Sequence, residues 1–367
     1  MPTSTRAAVL RQRGQPYNIE TVELADPGPG QVLVKLAACG ICFTDVGVQR
    51  YEQGTPLPQV LGHEGAGTVL AVGEGVTNVA AGDRVVLSYA SCGACPSCSH
   101  DHPQYCANFM ALNYAGVLPD GRVPMSQNGQ PVYGGFFGQS SFADHAIAYA
   151  RNTVKLADDV SFALAAPFGC GLQTGAGTAY NTLNVQPHHG FAVMGAGSVG
   201  LAALLAAVDR GCHTIIAVDR VAERLALARR LGATHTILAD GRDMMLALRE
   251  VVATGIDRIV DTTGASAVIR AGLEALASRG ELAMLAVTAP GTEITFNPNT
   301  LLGGRSLRGA VEGDADPQSF IPWLIDRHRA GRFNHAPLVT EYPLAAINEA
   351  VADMASGKAV KPVLVME

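Results

Sequence analysis

Four cysteines, Cys92, Cys95, Cys98 and Cys106, share one short segment with the pattern Cys-x2-Cys-x2-Cys-x7-Cys. Four soft thiolates in one loop suit a closed tetrahedral zinc with no coordination position left for a reactant. The pattern therefore predicts a structural metal, stapling a lobe that has little regular core of its own. An iron–sulfur cluster or a nucleic-acid-binding zinc ribbon could use the same donors, although the acidic net charge weighs against a ribbon. A second set of donors is dispersed. Cys42-Phe43-Thr44-Asp45 follows a strand-like run, Gly62-His63-Glu64 sits in a glycine-rich turn, and Cys170 lies between Gly169 and Gly171. Taken singly, a cysteine is more often a small buried hydrophobe than a ligand. Local spacing does not show whether these three side chains meet.

A third motif binds rather than reacts. Gly195-Ala196-Gly197-Ser198-Val199-Gly200 follows an apolar strand and opens a helix, the setting that a dinucleotide fingerprint requires. The first glycine makes the tight turn, the second lets a pyrophosphate approach the backbone, and the third lets helix and strand pack closely. Free N–H groups at the helix start would hold the phosphates. Asp219 ends the next strand about 20 residues further on, where a carboxylate accepts hydrogen bonds from the adenosine ribose. It would repel a 2′-phosphate, so NAD is expected over NADP, a preference that the neighbouring Arg220 softens.

These groups need a scaffold, and 367 residues are too many for one typical domain and suit two. With 48% hydrophobic and 16% charged residues, the chain can build large cores and has little reason to be disordered. Its net charge, 26 − 32 = −6, disfavours nucleic acid or an anionic membrane as a partner. Met1 to Gly14 lacks the apolar core and cleavage site of a secretory signal, and the cysteine cluster reads as a metal site in a reducing compartment. A cytoplasmic protein is expected. Phe191–Val208 is uncharged and long enough to raise the question of a membrane span, but its glycines argue for a buried strand, turn and helix.

The first third is mostly β in pattern, with short apolar runs at Gln31–Leu36, Ala66–Val72 and Val85–Leu87 separated by turn residues. From about residue 190 strands alternate with helices. Strands are expected at Phe191–Met194, Thr214–Val218, Arg258–Val260 and Leu282–Val287. Helices are expected from the glycine motif to Arg210, over Val221–Leu231 and around Ala265–Ala277. This alternation implies an α/β doubly wound parallel sheet. Helical patterns at Pro317–Ala330 and Ala345–Ser356 and a strand at Pro362–Met366 form a tail too small for a domain, expected to return to the first one.

Gly62-His63-Glu64-Gly65-Ala66-Gly67, followed by Gly73 and Val76, resembles the zinc-site signature of the medium-chain dehydrogenase/reductase family. With the four-cysteine segment and the later fingerprint in matching order, the resemblance spans nearly the whole chain. It implies a mostly β, GroES-like catalytic domain over 1–171, a Rossmann domain over 172–311 and a C-terminal return over 312–367. It also implies a catalytic zinc on Cys42, His63 and Cys170, hence two zinc ions per chain. Cysteine at the third position is similar to the alcohol dehydrogenases, whereas polyol dehydrogenases typically place glutamate there.

The same resemblance assigns further roles. Asp45 would orient His63, Glu64 would assist ligand exchange, and Thr44 would take the alcohol proton. Thr174, Val199 and Val287 would lie by the cofactor with Ser198, Arg224 near the adenosine ribose, and Lys361 on the pyrophosphate. Ser88, Tyr89, Phe136 and Phe137 fall where the family lines its substrate channel. Gly134–Phe142 and Ala310–Asp314 resemble the bacterial aryl-alcohol branch, which implies benzylic or allylic primary alcohols, terpene alcohols included, as small-molecule substrates. The long loop from Asn108 to Gln139 resembles the insertion of dimeric members, so a homodimer or homotetramer is expected. A glutathione-dependent formaldehyde dehydrogenase would share both zinc sites but needs cations for the glutathione carboxylates, and no such cluster stands out. A broad-range aliphatic alcohol dehydrogenase is a further alternative, and the intact donor set with Thr44 weighs against a non-catalytic zinc protein.

Two positions depart from the family pattern. Gly47 stands where some members end a proton relay with histidine, and Phe43 where members often direct arginine or histidine to the pyrophosphate. A charge-assisted contact regained there is expected to tighten NAD about tenfold in Phe43→Arg. Titration of the NAD dissociation constant checks this, and an unchanged value discards the idea.

Overall fold

The computed structural model describes residues 2–51, 54–288 and 291–367; Met1, where the first expected domain begins, lies outside the described residues. The chain forms two compact units, one of Met1–Cys170, Asp316–Asp326 and Ala336–Glu367, the other of Gly171–Ala315 and Arg327–His335.

The first unit is built on two sheets. Thr3–Leu10 pairs with Asn18–Leu24 and Gln59–Val60 in a five-stranded sheet completed by Met125–Gln127 and Gln130–Val132. Gln31–Gly40 is the hub of a seven-stranded sheet, pairing with Glu64–Val72, with His145–Tyr149 and with the C-terminal strand Lys361–Val365. Its side chains are buried at most positions, so the sequence reads as a nearly continuous apolar run. The register sets Gly40 opposite Glu64, and a Cβ on Gly40 would stand 1.9 Å from the glutamate Oε2. Glycine there makes room for a buried acid.

The second unit carries a six-stranded parallel sheet in the spatial order His235–Leu238, Thr214–Asp219, Gly190–Met194, Ile256–Asp261, Leu276–Met284, Ser306–Gly309. This is the doubly wound order, reversing direction of travel beside the first strand. The helices Ser198–Asp209, Ala222–Arg230 and Ser266–Ala275 stand where the alternation predicts them. Phe191–Val208 is a strand, a turn and most of a helix, and no helix among the described residues is long and apolar enough to cross a membrane. The strand expected at Leu282–Val287 instead runs from Leu276 to Met284, because its pairing with Ile256–Asp261 begins at Leu276 and shifts register once. His235–Leu238 and the helix Met244–Val251 went unread; that strand buries only Ile237, so its sequence shows no apolar run.

The tail is divided rather than one continuous return. Arg327–His335 belongs to the second unit, and the reason is a carboxylate. Asp209, 1% exposed, forms ion pairs with Arg332 Nε at 2.5 Å and Arg327 Nε at 3.4 Å, and the Tyr180 hydroxyl donates to it at 2.5 Å. Removing one buried acid from such a network leaves its partners unpaired. Asp209→Ala is expected to lower stability by about 2–3 kcal/mol, below the usual range for buried pairs because Arg332 is half exposed. Urea unfolding checks the value; a loss below about 0.5 kcal/mol would contradict the anchoring role.

Candidate active site

The helix Phe43–Arg50 begins at Cys42, whose backbone N–H donates to Asp45 Oδ2 at 2.9 Å. The other oxygen of Asp45 accepts from the Gly62 amide at 3.1 Å and lies 3.0 Å from His63 Nδ1. An acceptor on Nδ1 fixes the tautomer that keeps the Nε2 lone pair free. His63 is fully buried, and its Nε2 has no hydrogen-bond partner. A buried polar atom left unmatched calls for a ligand. Ligand atoms of Cys42, His63, Glu64 and Cys170 all lie within 4.8 Å of one another. The spacing alone left this convergence open, and the fold supplies it by bringing together a helix start, a strand start and the segment after a turn of 3-10 helix.

Charge on the sulfur side of this cluster favours metal, while at His63 a metal would have to displace a proton. A hydrogen bond from Cys170 pulls the Cys42 thiol well below its usual pKa against the cost of burial, with His63 adding to the effect. Burial disfavours a charge on His63, yet Asp45 outweighs it and raises the imidazole pKa. Two thiol sulfurs and one oriented imidazole fit a zinc site that keeps a position open. Glu64 is the fourth group in range, and both of its oxygens accept from Lys361 Nζ at 2.8 Å.

The second cluster gathers Cys92, Cys95, Cys98 and Cys106 with no disulfide among them. Backbone amides turn inward on the sulfurs: Cys92 N–H on Cys106 Sγ at 3.3 Å, Cys95 N–H on Cys92 Sγ and Ala107 N–H on Cys95 Sγ, each at 3.4 Å. Such donors favour thiolate, and those from Ala94 and Cys95 bring the Cys92 thiol down to about 6. Amide donors lower the Cys95 thiol as well, whereas burial pushes Cys98 up to about 12 and raises Cys106. Four sulfurs in one shell fit a tetrahedral zinc, whose charge would offset that burial.

In the second unit the glycine turn has the shape its motif requires. Gly195 has φ 101°, and a Cβ on Gly200 would stand 1.9 Å from the Gly195 carbonyl oxygen. At Gly197 a Cβ would meet nothing within 4 Å, leaving the backbone open to a ligand. Ser198, Val199 and Gly200 form the first turn of the helix. Asp219 is bound to this turn, accepting from Ala196 N–H at 2.7 Å and Val221 N–H at 2.9 Å, with Arg224 Nη1 4.0 Å away. Arg220 is exposed, Val287 is 86% exposed, and Thr174 donates to Glu312 Oε2 at 3.2 Å.

Residues 28–158 match the family model described as an alcohol dehydrogenase GroES-like domain, and residues 198–327 match that of a zinc-binding dehydrogenase. Geraniol dehydrogenase of Castellaniella defragrans is 44% identical over 99% of this chain and 98% of its own. The chain belongs to the zinc-containing medium-chain alcohol dehydrogenases. Two solved structures agree over the full length of both chains. Benzyl alcohol dehydrogenase from Acinetobacter calcoaceticus has 40% identity and a TM-score of 0.96. An alcohol dehydrogenase zinc-binding domain protein from Burkholderia ambifaria has 45% identity and a TM-score of 0.98.

In this alcohol dehydrogenase one expected role meets a different geometry. Lys361, expected on the pyrophosphate, is 1% exposed and spends its ammonium on Glu64 and on the Ile41 carbonyl at 3.1 Å. Burial would cost the ammonium its charge, but Glu64 more than offsets this and raises its pKa. Lys361 is thus the internal counter-ion of Glu64. Ser88, Tyr89, Phe136 and Phe137 are all buried, the three aromatic residues within the main core of the first unit. Phe137 stacks on the His63 ring at 4.5 Å, and Phe136 meets it edge-on at 5.5 Å. Phe137 takes a left-handed φ of 53° to do so, strain of order 1–3 kcal/mol that surrounding contacts must hold.

Sequence reading missed Gln139 and Glu312 as site residues. Both lie in segments singled out for resemblance, where a long polar side chain among mostly small or apolar neighbours is the available signal. Lys361→Met is expected to cost about 3 kcal/mol near neutral pH by stranding a buried carboxylate. Burial raises the Glu64 pKa, so protonation of this acid is penalised less in the fold than in the unfolded chain. Stability gained that way is present at acid pH and lost as pH rises through the raised value, so the variant's deficit narrows on acidification. Urea melts at two pH values test this; a deficit independent of pH contradicts it.

Proposed function

We propose that this enzyme oxidises benzylic and allylic primary alcohols to aldehydes with NAD. A catalytic zinc would sit on Cys42, His63 and Cys170, and a structural zinc on the four-cysteine lobe. The observation that carries the reading is the partnerless, buried Nε2 of His63 held beside two cysteine sulfurs under an aromatic wall. The names of the geraniol and benzyl alcohol dehydrogenases support the substrate class, because both imply a flat unsaturated group next to the carbinol. Aromatic faces suit such groups.

When bound, zinc supplies a Lewis acid that lowers the pKa of an alcohol hydroxyl, and NAD supplies the hydride acceptor. The protein's residues do the rest. Asp45 accepts at Nδ1 and aims Nε2 at the metal position, and Cys42 and Cys170 would provide negative charge there. The Thr44 hydroxyl, 3.7 Å from Cys42 Sγ, is placed to receive the alcohol proton. Gly47 offers no side chain to continue that relay, so the proton would leave Thr44 through the cofactor ribose and water. Phe136 and Phe137 exclude solvent around His63, which strengthens every charge interaction nearby. Gly197 and the helix N-terminus hold the phosphates, and Asp219 the ribose. The resemblance also supports a cytoplasmic homodimer or homotetramer, which sedimentation resolves.

Two measurements test the proposal. Zinc is expected at two per chain, falling to one in Cys42→Ala with turnover abolished. NADH absorbance with benzyl alcohol, cinnamyl alcohol and geraniol is expected to give kcat/KM at least about tenfold above ethanol, the scale of a few buried methylenes. Equal efficiency on ethanol discards the aromatic pocket, and one zinc in the unsubstituted chain discards the catalytic metal.

A further inference from the structure

Gln139 is 1% exposed, and its carboxamide bonds to four partners around the metal cluster. Its Nε2 donates to the carbonyls of His63 and Ser88, each at 3.0 Å. Its Oε1 accepts from the Gly65 amide at 3.0 Å and from Ser141 Oγ at 2.6 Å. His63 and Gly65 flank Glu64, so one end of the bridge grips the backbone that carries a ligand. Ser88 passes the connection on: its hydroxyl donates at 2.6 Å to the carbonyl of Gly169, the residue before Cys170. Asn152 Nδ2 shares the Ser88 carbonyl at 2.9 Å and reaches the Phe137 carbonyl at 3.2 Å. A single amide thus joins the segment bearing His63, the segment leading to Cys170 and the loop bearing Phe136 and Phe137.

Each of these partners is a fixed backbone group or a short side chain already used. A residue one methylene shorter cannot reach both carbonyls from the same backbone position, and an apolar one would strand them in the core. Metal sites tolerate little drift in their donors, and outer groups that hold ligands in place govern affinity as well as rate.

We propose that Gln139 is a positioning residue of the zinc site, setting the separation of His63 from Cys170 through its bridge to Ser88. The inference rests on the catalytic-zinc reading above. It also makes the substrate loop and the metal share one fastening, so displacement of Phe137 by a bulky alcohol is felt at the ligands.

The test uses the full chain with cobalt exchanged into both sites, the metal serving as probe. Gln139→Met preserves bulk and removes all four bonds; Ser88→Ala removes only the last link to Gly169. Gln139→Met is expected to release metal from the Cys42, His63 and Cys170 site to a chelator about tenfold faster. Its visible cobalt spectrum should change, and kcat should fall by more than KM moves, while release from the four-cysteine site stays as it was. Ser88→Ala should shift release and spectrum in the same direction by a smaller factor. A folded Gln139→Met with unaltered release and spectrum overturns the proposal. Should Gln139→Met not fold, Ser88→Ala decides alone, and an unshifted result there overturns it equally. An unsubstituted chain that takes up only one cobalt fails the metal reading itself, a result distinct from either.

Discussion

Asp45 holds the first unit's chemistry together. Fully buried, its carboxylate receives three donors, the Cys42 amide, the Gly62 amide and the His63 ring. One oxygen caps a helix; the other closes a turn and selects a tautomer. A carboxylate in that position has no solvent to fall back on, so each donor must stay in place to repay its desolvation. The result is that two parts of the chain lying about twenty residues apart arrive at one point with their ligand atoms already facing each other.

The second unit solves a related problem with the same kind of group. Asp219 fastens Ala196 to Val221, so the phosphate-binding turn and the start of the next helix are one rigid piece before any nucleotide arrives. Preorganisation of this kind lowers the entropy lost when a ligand is ordered. Asp209 does the equivalent for Arg327 and Arg332 at the far end of the helix that begins at the glycine turn. Buried acids therefore act here as fasteners between segments as much as they act as reagents.

Much of this was legible in the residues. The glycine motif, the alternation that follows it and the four-cysteine spacing each encode a local geometry, and local geometry is what sequence patterns express. The convergence of Cys42, His63 and Cys170 was not, since it depends on sheet pairing between strands that the apolar runs identify but do not order. The resemblance implies it, and the fold brings the side chains together. Lys361 shows the limit of carrying a role over by position: the register that pairs the C-terminal strand with Gln31–Gly40 turns its ammonium inward to Glu64. Gln139 lies within the Gly134–Phe142 segment, but three hydrogen bonds to backbone groups and one to the Ser141 hydroxyl leave no periodic trace.

The ion pair between Glu64 and Lys361 spans 297 residues. During translation the acid therefore leaves the ribosome long before its cation is made, and the whole nucleotide-binding unit is synthesised in between. That unit is complete at His335 and can fold on its own schedule. The metal-bearing unit must wait with a half-built sheet, its buried acid uncompensated, until the closing strand slots in beside Gln31–Gly40. What is begun first at the N-terminus is finished last.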